Sequence, residues 1–233
     1  MNLKDAILPY GEDIRNGTSD SILASLYRTI LNGLGIESPR FQVMVGKYVN
    51  RVTPLDKVNE ISSIRGYLRK ELLKSTMSWK VFVKGLLVLS VKRFDIALHL
   101  RMTEDEKDDV AVLHRVSFES SKSEEEDAKI TKSVLSALFR ESLVKLNITT
   151  SKFDDLLAKY IIKANIPVNI KEVASTRGNI KKEFMKESMS WKVFIKTLMF
   201  LNVRQFTIGV NLYHPNGKVT AHYRTITLDA FEG

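Results

Sequence analysis

Residues 77–89 read MSWKVFVKGLLVL, and residues 189–201 read MSWKVFIKTLMFL. Trp191 lies 112 positions after Trp79, and the same offset relates Ser21 to Ser133, Leu26 to Leu138, Arg28 to Arg140, Phe41 to Phe153, Tyr48 to Tyr160 and Phe94 to Phe206. Residues 21–102 align on 133–214 without a gap, with about 30 identities in 82 positions. Chance does not give that density, and it points to a tandem duplication. The period is too long for a solenoid unit, so each copy is expected to be a domain. The expected division is an N-terminal extension over 1–20, a first repeat domain over 21–119, an acidic linker over 120–131 and a second repeat domain over 132–233.

The repeated segment reads as a helix. Ser78 and Ser190 stand where an N-cap is needed, and Met77 can close on Phe82 as Met189 can on Phe194. Trp79, Phe82, Val83, Leu86 and Leu89 share one face, while Val81 and Val88 occupy the opposite one. Only Lys80 and Lys84 form a polar strip. A helix apolar on most sides is buried on most sides, so this one is expected at the centre of each copy with its lysines as the outlet to solvent.

Working outward, DSILASLYRTILNGLG (20–35) predicts a helix capped by Asp20 or Ser21 and stopped by Gly33 and Gly35. SPRFQVMVGKYVNRV (38–52) predicts a second, with Ser38 as N-cap and Pro39 at the first helical position. A third is expected from about Val58 to Lys74, burying Ile61, Ile64, Leu68 and Leu72. Beyond the quoted segment, RFDIALHLRM and DVAVLHRVSFE alternate apolar with polar residues as half-buried strands do. In the second copy QFTIGVNLYH and KVTAHYRTITL do the same around Asn216-Gly217, a tight-hairpin signal. The expected fold is α+β: a tandem duplication of a domain of about four helices followed by a β-hairpin.

The chain has 233 residues, 44% hydrophobic and 27% charged, values of a soluble globular protein. It has no cysteine, which removes disulfides, thiolate metal sites and cysteine nucleophiles. The N-terminus carries no long apolar run, and the longest apolar stretch, around residues 81–91, is too short to cross a bilayer. A cytoplasmic protein without a membrane partner is expected. G-x-S-x-G, H-E-x-x-H and phosphate-cradling glycine loops are all missing, so the reading is non-enzymatic, with no catalytic residue, no cofactor and no evident small-molecule substrate. The four histidines lie on the hairpins. His99 with His114, and His214 with His222, can meet across their turns, but two imidazoles without a third ligand do not make a metal site.

Charge carries the functional expectation. The net charge is +9, yet residues 104–109 and 119–127 each sum to −4, which leaves +17 on the remainder. A basic body with its acid confined to two segments suggests a polyanionic partner. Six basic positions recur in both copies: Arg65, Arg69, Lys70, Lys74, Lys80 and Lys84 in the first, and Arg177, Lys181, Lys182, Lys186, Lys192 and Lys196 in the second. Like charges one helical turn apart repel weakly, so stability gives little reason to keep them, whereas phosphate contacts give one. These twelve residues are the expected nucleic-acid contacts, on DNA more than RNA. The helix at 79–89 is too apolar to enter a major groove as a recognition helix does, so the helix before it or the hairpin would meet the ligand. A protein–protein adaptor, or a viral structural or host-directed factor binding an acidic or symmetric protein, is the alternative.

The phrases SIRGYLRKE at 63–71 and STRGNIKKE at 175–183, each followed by MSWKVF, resemble uncharacterised proteins of large tailed bacteriophages. That resemblance spans most of each copy and implies no activity and no residue roles.

Overall fold

A computed structural model describes residues 19–91, 93–102, 109–118, 124–163, 173–213 and 217–228. Four helices precede each hairpin. The first half contains α1 (Ser19–Gly33), α2 (Ser38–Val52), a 3-10 helix (Leu55–Glu60), α3 (Ile61–Leu73) and α4 (Trp79–Val88), then β1 (Arg93–Arg101) and β2 (Val110–Ser117). The second contains α5 (Glu124–Lys145), α6 (Thr150–Lys163), α7 (Val173–Phe184) and α8 (Trp191–Phe200), then β3 (Gln205–Tyr213) and β4 (Val219–Thr227). The fold class is α+β, as expected.

Local sequence sets most of these boundaries. Ser78 accepts a hydrogen bond from Val81 N at 3.3 Å, and Ser190 accepts one from Val193 N at 3.3 Å, so both caps form. Helix ends also recur. Ser90 and Asn202 adopt φ of 60° and 58°, and Val91 N and Val203 N reach back to Leu86 O and Leu198 O. These are left-handed terminations that satisfy carbonyls of the last turn. Three expectations are corrected. Glu37 rather than Ser38 is the N-cap of α2, with Pro39 inside its first turn. The third helix starts at Ile61, because Pro54 opens a separate 3-10 turn and Lys57 within it is non-helical at φ −110°. Helix α5 begins at Glu124 and takes in 124–131 of the stretch expected as a linker. The N-terminal extension falls outside the described residues apart from its last two positions.

The two hairpins join into one antiparallel sheet of order β2-β1-β3-β4. At the centre of the β1–β3 pairing Ala97 faces Gly209, positions that are equivalent at the offset of 112. The rings of Trp79 and Trp191, also equivalent, stack at 6.3 Å and 15°. Both contacts therefore bring together positions that stand at the same offset in the sequence. Packing is reciprocal in the same sense. Helix α1 lies against β4 of the other half, and α5 against β2. Each of α1 and α5 touches both α4 and α8.

All three strand registers pair even-numbered residues with even-numbered ones. One sheet face is therefore built entirely from even positions. Phe94, Ile96, Leu98, Leu100, Phe206, Ile208, Val210 and Leu212 are fully buried there under the helices, in one core shared by both halves. The odd face carries Asp95, His99, Arg115, Thr207 and Tyr213. The expected approach of His99 and His114 is corrected by this parity. His99 lies on the odd face 3.4 Å from Asp109, and His114 lies on the even face 2.9 Å from Glu141 of α5. The His214–His222 pair cannot be placed, since His214 is outside the described residues.

A candidate nucleic-acid interface on the helical side

Helix α4 holds its lysines where the sequence puts them. Trp79, Phe82, Val83, Leu86, Leu87 and Val88 are buried, Lys80 is exposed and Lys84 half-buried. Helix α8 repeats this with Trp191, Phe194, Ile195 and Leu198 inside, Lys192 exposed and Lys196 half-buried.

Helix α3 distributes its cations differently. Arg65 and Lys70 are five positions apart, hence about 140° apart around the axis. Arg65 turns towards α2, where its Nη2 donates to Asn50 Oδ1 at 2.5 Å and its guanidinium lies over Gly46. Arg69 and Lys70 are exposed, and Lys74 pairs with Glu71, whose hydrogen bond and charge raise the ammonium pKa above its ordinary value. In the second half Arg177, Lys182 and Lys186 are exposed, while Lys181 binds Asp154 at 2.8 Å and sits over the Phe153 ring. The cations of α3 therefore do not share one face: Arg65 and Arg69 lie on one side of the helix, and Lys70 and Lys74 on another. No described carboxylate lies within 4 Å of Arg69, Lys70, Lys80, Arg177, Lys182, Lys186, Lys192 or Lys196.

Two arginines outside that set hold the corners together. Arg28 donates to Lys74 O at 3.2 Å, and its equivalent Arg140 donates to Met185 O at 3.3 Å and Lys186 O at 3.5 Å. Each ties the first helix of its half to the carbonyl end of the third. Their recurrence has a structural cause.

Between α2, the 3-10 helix, α3 and α4 opens a cleft of about 380 Å³. Val49, Val52, Ile64, Leu68 and Val81 form its walls. Lys57, Lys80 and Lys84 reach it, against one carboxylate, Glu71, which Lys74 already engages. Tyr67 also lines it with 67% of its surface exposed. Lys57 and Tyr67 were not among the expected contacts. Their positions in the second copy are Asn169 and Asn179, so neither is shared between the two copies.

Comparison with family models, with curated proteins and with solved structures finds no match.

Proposed function

We propose that this is a non-enzymatic nucleic-acid-binding protein, made by duplication of one helical-plus-hairpin unit, that grips phosphates with two equivalent cationic helices. The observation that carries this is the meeting of α4 and α8 at their first residues. The rings of Trp79 and Trp191 stack there, and each helix keeps two lysines as its only charged residues in an apolar sequence. Two equivalent cation pairs held at a fixed separation suit a repeating polyanion. Arg69, Lys70, Arg177, Lys182 and Lys186 extend the contact, with Lys74 and Lys181 contributing less because each is held by a carboxylate. DNA in the cytoplasm remains the first ligand to test.

Binding to single-stranded and duplex oligonucleotides, titrated from 50 to 200 mM salt, tests the proposal. A steep log–log dependence is expected, and replacing Lys80, Lys84, Lys192 and Lys196 together by alanine is expected to reduce its slope by about 3. No binding at the lowest salt, or a slope that the four changes leave alone, defeats the reading.

One observation favours a protein partner instead. β2 and β4 are the edges of the sheet, and Leu113 and Val219 on them are 55% and 49% exposed. A partner strand can add to such an edge. Stoichiometric recovery of a protein partner after nuclease treatment, together with the absence of salt-dependent nucleic-acid binding, would establish this second reading.

A further inference from the structure

The cleft of the first half differs in kind from the exposed cations around it. It combines an apolar floor, a cationic rim and one outward aromatic ring. Phosphate contacts alone need none of the apolar surface, and a fatty chain needs no aromatic ring at the entrance. A nucleobase with its phosphate uses all three: a flat face to stack, an apolar wall to lie on, and cations for the charge that follows it. The volume of about 380 Å³ lies within the range of sites that enclose small ligands.

We infer that this cleft receives one unpaired base of a single-stranded nucleic acid, stacked on Tyr67, with the adjoining phosphate on Lys80 and Lys84. The inference rests on the nucleic-acid reading above and adds to it a strand class and a base-contacting residue. A duplex keeps its bases in the stack and cannot fill the cleft without losing that stacking. Lys57 closes the rim from the 3-10 helix. The second half lacks both Lys57 and Tyr67, having Asn169 and Asn179 there. Base contact is therefore assigned to the first half alone, while Lys192 and Lys196 of the second touch only backbone.

The test uses the full chain and two 12-nucleotide single strands of equal charge, one with all its bases and one abasic throughout. At fixed salt the intact strand is expected to bind about tenfold more tightly. Tyr67→Ala, at an exposed position where folding is not at risk, is expected to abolish that difference while leaving abasic-strand and duplex affinity and their salt slopes unchanged. Tyr67→Trp is expected to restore it. Equal binding of both strands by the unaltered protein overturns the cleft assignment yet leaves the backbone-binding reading standing. Failure of every strand to bind at low salt ends both. Competition by free adenosine monophosphate at the concentration at which the strand itself competes overturns the inference too, since it makes the cleft a mononucleotide site.

Discussion

Asp95 illustrates at the scale of one residue how the two halves differ. It is 2% exposed on the odd face of the sheet. Arg115 donates to its carboxylate at 3.0 and 3.5 Å, Tyr213 at 2.5 Å, and Arg93 lies over the Tyr213 ring at 4.1 Å. Burial raises the Asp95 pKa, but the hydrogen bonds from Arg115 and Tyr213 and the nearby arginine charges outweigh it and hold the carboxyl below its ordinary value. A carboxylate lowered in the folded state stabilises the fold fully above the ordinary range and loses that contribution as pH falls through the depressed value. Asp95→Asn is expected to cost about 1–3 kcal/mol at pH 7, with the gap to the unaltered protein closing below pH 4 in urea melts. A gap constant with pH would deny the charge its role. The second half makes the corresponding contact between hydroxyls, Thr207 with Thr225 at 2.8 Å, and needs no charge there. Gly85 diverges for a steric reason. A Cβ on it would stand 2.5 Å from a ring carbon of the buried Tyr27, whose hydroxyl donates to Gly85 O, whereas the second half has Phe139 and Thr197 at these positions.

Elements were the most legible level of this sequence. The caps of α4 and α8, the alternation of the strands and the stop after α1 all depend on residues close in sequence, and periodicity reports such residues well. Ser78→Ala and Ser190→Ala each remove one cap bond, and each is expected to lower stability by about 1 kcal/mol, with additive loss in the double variant because the sites do not share partners. Thermal melts of the three variants measure this, and a double variant no worse than either single one would contradict it. What the sequence left unread at this scale depends on partners far along the chain. Arg65 reads in the sequence as one of six recurring cations, and only the fold brings Asn50 to it. Histidine placement failed likewise, since strand parity follows from register and register is set by pairing. The cleft was hidden for another reason: Lys57 and Tyr67 stand opposite Asn169 and Asn179 at the offset of 112, so repetition does not mark them.

At the scale of the whole molecule, the offset of 112 predicts two similar units and says nothing of how they meet. Meeting was settled by the edge that each hairpin would otherwise leave open: β1 and β3 cover one another, and α1 and α5 cross to the far hairpin. With a single shared core, the full chain is expected to unfold in one transition, seen alike by tryptophan fluorescence and circular dichroism. Residues 124–233 produced alone would bare the β3 edge and the Trp191 ring. They are expected to pair with a second copy of themselves through Gly209, giving a dimer by sedimentation. A folded monomer would refute that.

The meeting of Ala97 with Gly209 has a further consequence. In an assembly of two identical chains, whatever sits on the axis must tolerate its own image, and every improvement on one flank is imposed on the other. Joining the partners in one polypeptide lifts that restriction. An acid can settle on one side of the ribbon without confronting a copy of itself, and an aromatic lip can be kept at one mouth and dropped from the other. The tether thus fixes the ratio of the partners at one to one and leaves each free to take up a separate task.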